Sequence, residues 1–199
     1  MGMSRYDIAL GKNPPLSNPK ILIIGGRRSG KTEILLNEMM KVSGRICIGA
    51  PSYPHARLVK ERYMHRMMEG RPEIITQSFS SDLWQFGESI SDGVFIDEVQ
   101  EMPQKGFTSG INRALSILSS HNSARTVITA YLPWVYESAW RKHIDGVMAG
   151  CIGNYQEWNR VWKEGIYEPV WYNFTYLSTE WQALFLPKRI VGTVLPFNK

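Results

Sequence analysis

Short apolar runs alternate along the chain with longer segments of mixed polarity, which is the pattern of an α/β fold. Six runs rich in β-branched and aromatic residues predict strands, the last by strict alternation. They are Lys20 to Ile24, Arg45 to Ala50, Glu73 to Ser78, Gly93 to Ile96, Arg125 to Ala130 and Val170 to Tyr176. Because the earlier runs are apolar throughout, we expect them to lie buried in a mainly parallel central sheet.

Helical spacing of apolar residues fills the gaps between these strands. The predicted helices are Thr32 to Val42, a basic helix from about Pro54 to Met68, Phe107 to Leu118, and Tyr136 to Met148. The stretch from there to Lys199 contains only the one predicted strand, and its end has no assignment. The pattern as a whole predicts a sheet flanked by helices.

Composition narrows the class of protein. The chain has 199 residues and a net charge of +5, with 43% hydrophobic and 21% charged residues, as in soluble globular proteins. Its two cysteines, Cys47 and Cys151, exclude a disulfide scaffold and a four-cysteine zinc site. With no long apolar run and no signal peptide, we expect a cytoplasmic protein with no membrane partner. We expect one domain over 1–199, with an N-terminal extension over 1–19.

A phosphate-binding motif follows the first predicted strand and opens the first predicted helix. It matches G-x-x-x-x-G-K-[ST] in full, where glycines let backbone N–H groups approach a phosphate chain and the helix N-terminus favours the anion. Lys31 would reach the β- and γ-phosphates, Thr32 would hold Mg²⁺, and Arg28 would act on the transferring phosphate. The expected nucleotide-binding residues are Gly25, Gly26, Arg27, Arg28, Ser29, Gly30, Lys31, Thr32 and Glu33.

Two carboxylates end the fourth predicted strand. Asp97 and Glu98 follow Gly93 to Ile96, and the carboxyl edge of a parallel sheet would bring them to the phosphate loop. Asp97 is then a second Mg²⁺ ligand beside Thr32, and Glu98 is a general base for the attacking oxygen. The base-reading Asn-Lys-x-Asp motif of GTPases does not occur, so we expect ATP as the nucleotide.

Four segments together resemble the ATPase domain of viral large terminases, the motors that package DNA into capsids. They are IIGGRRSGKTEILL (Ile23 to Leu36), RICIGAPSYPHARLV (Arg45 to Val59), GVFIDEVQEMP (Gly93 to Pro103) and ARTVITAYLP (Ala124 to Pro133). The resemblance implies a P-loop NTPase of the additional-strand, catalytic-glutamate type, with Walker A and Walker B motifs. It also implies that Thr129 senses the γ-phosphate and couples hydrolysis to motion.

The resemblance further implies an ATPase that translocates double-stranded DNA as a homo-oligomeric ring in the host cytoplasm. Its partners would be the portal or capsid and a small terminase subunit or separate nuclease, because no nuclease domain is expected here. Residues 134–199 would be a candidate lid or coupling subdomain. Candidates for an arginine finger toward a neighbouring subunit are Arg113, Arg125 and Arg141.

Two other functions stay open at this point. A thymidine-kinase-like nucleoside kinase would share the loop and the Ile-Asp-Glu-x-Gln spelling at Ile96 to Gln100. In that protein Glu98 would deprotonate a sugar hydroxyl instead of water. The third function is a nucleotide-dependent assembly module that does not hydrolyse ATP. The arginines of the basic helix spread round it, which fits a solvated helix as well as a DNA track, and the four histidines show no metal spacing.

Overall fold

The computed structural model describes residues 19–26, 29–67, 70, 72–79, 91–102, 110–120, 125–131 and 170–186. Within these ranges the chain forms seven strands, three α-helices and one 3-10 turn. The strands are β1 (Lys20–Gly25), β2 (Ile46–Ala50), β3 (Ile74–Ser78), β4 (Gly93–Ile96), β5 (Arg125–Tyr131), β6 (Val170–Tyr176) and β7 (Thr179–Phe185). The helices are α1 (Lys31–Met39), α2 (Tyr53–Met64) and α3 (Gly110–Ser119), and the 3-10 turn is Val99–Glu101.

The strands form one seven-stranded mixed sheet in the order β3-β2-β4-β5-β1-β7-β6. Every neighbouring pair is parallel except β6 and β7, which form an antiparallel hairpin at one side of the sheet. Strand β5 therefore lies between β1 and β4. Of these two strands, β1 leads into the predicted phosphate loop and β4 leads into the predicted acidic pair. All three end at the same edge of the sheet, which we call the carboxyl edge.

The alternation of side chains along the strands divides the core into two apolar layers. One face of β1 places Ile21 and Ile23 against α1 and α2, where Leu35 and Val59 are fully buried. The other face places Leu22 and Ile24 with Leu115 of α3. Because β1 buries both faces, its run of isoleucine and leucine has no polar position, as expected for a central parallel strand.

The α/β class and the mainly parallel sheet flanked by helices are confirmed, and each of the six predicted strands is present with bounds shifted by only a residue or two. The basic helix is shorter than predicted, since α2 ends at Met64. Residues 107–109, at the start of the third predicted helix, and the helix predicted over Tyr136 to Met148 lie outside the described residues.

The hairpin of β6 and β7 extends the sheet beside β1. The pattern gave no assignment to β7, and residues 170–186 fell within the candidate lid or coupling subdomain. The structure joins this part of the chain to the central sheet, with β7 parallel to β1 in the register Ile23 to Leu184. Trp181 is fully buried, stacks on Phe174 at 6.2 Å between ring centroids, and donates from Nε1 to Ser119 Oγ at 3.0 Å.

No helix in the described ranges combines the length and the apolar character that crossing a bilayer requires.

Candidate active site

The loop between β1 and α1 has the backbone form that its glycines allow. Gly30 precedes α1 with φ at 94°, a left-handed conformation that costs glycine little, and its carbonyl accepts from Ile34 N at 3.1 Å. At Gly25 a Cβ would lie 2.6 Å from Ser29 Oγ and 2.9 Å from Leu186 Cβ. The packing around Gly25 therefore leaves no room for a side chain at this end of the loop. Arg27 and Arg28 lie outside the described residues.

Lys31 is the first residue of α1, and its side chain folds back over this loop. Its Nζ donates to Gly26 O at 2.8 Å and lies 5.5 Å from the centroid of the Tyr131 ring. Burial lowers the pKa of the Lys31 ammonium, although the nearby carboxylates of Asp97 and Glu98 act to raise it. The cation is thus held inside the loop and faces two negative groups.

Ser29 carries a buried hydroxyl with no partner among the described residues. The Oγ atom is shielded from solvent and makes no hydrogen bond there. A buried hydroxyl without a partner is costly, and Ser29 Oγ is one of five buried polar side-chain atoms without a partner among the described residues. This orphan lies next to Gly25 in the loop that the sequence predicts to bind phosphate.

Asp97 is the centre of the polar groups at the carboxyl edge. Asp97 is 1% exposed and follows β4 directly. Its Oδ1 accepts from Thr129 Oγ1 at 2.6 Å, and its Oδ2 accepts from His55 Nε2 at 3.0 Å. Thr32 Oγ1 lies 3.5 Å from Oδ1 and 3.3 Å from Oδ2. Side chains from three further elements therefore converge on one carboxylate.

The hydrogen bonds determine the charge state of Asp97. Burial acts to raise the pKa of its carboxyl, but the hydrogen bonds from His55 and Thr129 outweigh burial and hold that pKa below its ordinary value. The same contact with Asp97 raises the pKa of the His55 imidazole against the opposing effect of its partial burial. The carboxylate is consequently ionised at neutral pH, as a cation ligand must be.

Glu98 has an unusual backbone conformation. Its φ of 55° and ψ of 53° lie in the left-handed region, which a glutamate rarely adopts. Its N–H donates to Thr129 Oγ1 at 2.9 Å, so one hydroxyl bridges Glu98 and Asp97. The carboxylate is close enough to Lys31 and His55 to raise the pKa of both. Backbone strain of this kind is concentrated at functional sites.

The structure adds two residues that sequence reasoning missed. Gln100 Oε1 accepts from Tyr131 N at 2.8 Å, which joins the turn after Glu98 to the end of β5. The sequence pattern indicates no role for His55, because its spacing from the other histidines fits no metal site. The signal for His55 is its position in the first turn of a helix that follows β2, but only the pairing of β2 with β4 brings that turn to Asp97.

The structure gives two predicted residues other partners. The carboxylate of Glu33, a predicted nucleotide-binding residue, forms ion pairs with Arg62 and Arg66 of α2. Arg125, one of the candidate fingers, starts β5 at the opposite edge of the sheet and donates to the buried carboxylate of Glu38 at 2.6 Å. Arg113 falls within α3, and Arg141 lies outside the described residues.

The donor set of Thr32 and Asp97 fits Mg²⁺. The described residues contain no group of three or more His, Cys, Asp or Glu side chains that could hold a metal ion. Mg²⁺ needs no such group beside a nucleotide, because it keeps waters and takes one or two protein oxygens plus phosphate oxygens. A hydroxyl 3.3 Å from a buried, ionised carboxylate supplies those protein oxygens.

The described fold and site define an α/β protein whose mostly parallel sheet collects a lysine, a carboxylate pair and two threonines at its carboxyl edge. Comparisons with known protein families, with curated proteins and with solved structures find no match.

Proposed function

We propose that the protein is an ATPase, a motor subunit that translocates double-stranded DNA into a viral capsid. The observation that carries the ATPase part is the convergence of Thr32 and Thr129 on the Asp97 carboxylate, beside a lysine folded over a glycine loop. This arrangement suits phosphoryl transfer, because catalysis of that reaction is mainly positioning and charge stabilisation. The motor part rests on the resemblance to terminase ATPase domains.

The strand order supports a P-loop NTPase of the additional-strand type. One strand, β5, lies between the strand of the phosphate loop and the strand of the acidic pair. This inserted strand carries Thr129, which is fully buried and bonded to both acidic residues. The placement fits the expected role of Thr129 as a sensor, because a shift of Asp97 or Glu98 would change its hydrogen bond to Thr129 and so act directly on β5.

Each residue of the site has a role in the proposed reaction. Thr32 and Asp97 would hold Mg²⁺, whose charge would be available to neutralise the nucleotide phosphates. Lys31 binds the phosphate oxygens by exchanging its present hydrogen bond to Gly26 O for one to the nucleotide. Glu98 accepts the proton of the attacking water, and its position beside Lys31 gives it a positively charged neighbour. Arg28 is proposed as a further cation at the transferring phosphate.

The cations of α2 differ in whether a carboxylate of the protein neutralises them, which decides whether they are available to contact DNA. Arg62 and Arg66 pair with Glu33, so their charge is compensated within the protein. Arg57 is likewise paired, with Glu61 at 3.1 Å, whereas Lys60 has no ion pair among the described residues and lines, with Tyr53, a cavity of about 310 Å³. We assign a DNA phosphate contact to Lys60. The portal or capsid and a small subunit or nuclease remain proposed partners of a homo-oligomeric ring.

One assay separates this function from its alternatives. Purified protein is incubated with ATP and Mg²⁺, with and without double-stranded DNA, and in parallel with thymidine. The proposal expects release of inorganic phosphate that rises with DNA, and no thymidine phosphate. Transfer of phosphate to thymidine would instead establish a nucleoside kinase, and tight ATP binding without turnover in either assay would establish an assembly module.

A further inference from the structure

The Asp97 carboxylate has one partner that the proposed reaction does not use. Thr32 and Thr129 both have roles as metal ligand and sensor, whereas His55 has none. Yet His55 Nε2 lies 3.0 Å from Asp97 Oδ2, the oxygen that is also nearer to Thr32 Oγ1. The imidazole is 30% exposed, so it lies between the buried carboxylate and the solvent side of the site.

The local sequence holds His55 in this place. Ser52 caps α2, with its Oγ accepting from His55 N at 3.3 Å, and Pro54, the second residue of the helix, has a preset backbone. The end of β4 is fixed to the end of β2 as well, because Asp97 N donates to Gly49 O at 2.9 Å. The backbones that carry the histidine and the carboxylate are therefore tied together from both sides.

The far end of α2 is also fixed to the site. Arg62 and Arg66 both bind the carboxylate of Glu33, which follows Thr32 in the first turn of α1. Arg66 also donates to Asn37 Oδ1 at 3.0 Å. Helix α2 is thus attached to the metal-ligand segment of α1 at one end and to Asp97 at the other.

We propose that His55 is a positioning residue of the magnesium site, which orients the Asp97 carboxylate for the metal by holding its Oδ2. The inference rests on the proposed function, because it needs a Mg²⁺–nucleotide complex at Asp97. Metal-bound carboxylates are commonly oriented by such outer hydrogen bonds, whose loss weakens metal affinity by about 10–100-fold. Without His55, Thr129 would still hold Oδ1, but Oδ2 would keep only the longer contact of 3.3 Å to Thr32 Oγ1.

The test separates the metal-dependent from the metal-independent part of nucleotide binding. Calorimetry measures the affinity for ADP in Mg²⁺ and in EDTA for wild type and four variants, and Mn²⁺ electron paramagnetic resonance measures metal retained with ADP. The variants are His55→Ala, His55→Asn, His55→Gln and, as the matched control, His65→Ala at the exposed end of the same helix.

We expect His55→Ala and His55→Asn to lower the Mg²⁺-dependent affinity about tenfold, with the affinity in EDTA within about twofold of wild type. His55→Gln, whose longer amide can still donate to Oδ2, should restore most of the loss, and His65→Ala should match wild type. The role of His55 would be overturned if Mg²⁺ raised the ADP affinity of wild type and His55→Asn by the same factor. It would also be overturned if His55→Asn lowered the ADP affinity equally in Mg²⁺ and in EDTA. Either result would leave the proposed function standing. Absence of ADP binding by the wild type would overturn the proposed function as well.

Discussion

Both edges of the central sheet carry buried charges, but these charges differ in how completely they are paired within the protein. At the amino edge, the fully buried Glu38 carboxylate is paired with Arg125 at 2.6 Å and Lys41 at 2.5 Å. At the carboxyl edge, Ser29 Oγ has no partner among the described residues, and the Lys31 ammonium bonds only a loop carbonyl in the contacts described. Ser91 Oγ, just before β4 at the amino edge, also has no partner among the described residues. The carboxyl edge is therefore distinguished by the Lys31 ammonium, with its single hydrogen bond, near the strained Glu98.

Threonines on one strand make the same contrast at closer range. Thr126 and Thr129 of β5 are both fully buried, three residues apart. Thr126 Oγ1 accepts from the Lys20 ammonium at the amino edge, while Thr129 Oγ1 bridges Asp97 and Glu98 at the carboxyl edge. We therefore expect the contacts at the amino edge to determine stability and those at the carboxyl edge to determine catalysis.

The largest expected effect concerns stability at the amino edge. Arg125→Met removes the partly buried partner of Glu38 and leaves only Lys41 beside this buried carboxylate, so it should lower the free energy of unfolding by about 3 kcal/mol. Chemical denaturation measures the loss, and Arg57→Met in the exposed pair with Glu61 is the control, with a loss below about 1 kcal/mol. Equal losses in the two variants, or a large change in ADP affinity for Arg125→Met, would break the distinction between the edges.

The next effect is a pH dependence that originates at Lys20. Burial lowers the pKa of its ammonium to about 8, while in the unfolded chain it stays near 10.5. Between these values the unfolded state binds more protons, so this residue makes the protein more stable as the pH rises. Relative to Lys20→Met, the wild type should gain on the order of 1–2 kcal/mol of unfolding free energy from pH 7 to pH 9.5.

Denaturation curves at the two pH values provide this comparison. Lys60→Met, a lysine on the surface of α2, should show no such change against the wild type. A difference between wild type and Lys20→Met that stays constant with pH would contradict the account of a buried ammonium.

The paired threonines provide the third test. Thr126→Val and Thr129→Val each remove one buried hydroxyl, so each should cost about 1–2 kcal/mol of unfolding free energy. Only Thr129→Val should also slow ATP hydrolysis, by about tenfold or more, because it releases the carboxylate pair. Steady-state phosphate release decides the point, and equal rates in the two variants would show that the edges do not divide stability from chemistry.

The smallest expected effect is a gain in stability. Asparagine tolerates the left-handed backbone of Glu98 better than glutamate does, so Glu98→Asn should raise the free energy of unfolding by about 0.5–1 kcal/mol while abolishing turnover. Thermal unfolding measures the gain, with Glu101→Asn in the same turn as the control. If Glu98→Asn is no more stable than the Glu101→Asn control, position 98 stores no backbone strain.

Much of this fold follows from local patterns, and the exceptions have physical causes. The six strands were predictable because each is apolar or alternating, and the loop and acidic pair because their residue types are specific. Strand β7 was missed because its turn, Leu177 and Ser178, takes φ values of 47° and 62° without the glycine or asparagine that usually indicates a hairpin. The Glu33 and His55 contacts depend on how α1 and α2 pack, which no spacing along the chain reveals.

The proposed ATPase depends on Glu98 as the group that activates the attacking water, and Glu98→Gln isolates that role. The amide keeps the size and backbone of the residue but cannot accept a proton. The measurement is single-turnover hydrolysis of ATP with Mg²⁺, alongside ATP affinity, for wild type, Glu98→Gln and Glu101→Gln as the control. We expect hydrolysis to fall by about 100-fold or more in Glu98→Gln, with affinity within about threefold of wild type. Hydrolysis at the wild-type rate in Glu98→Gln would contradict the account.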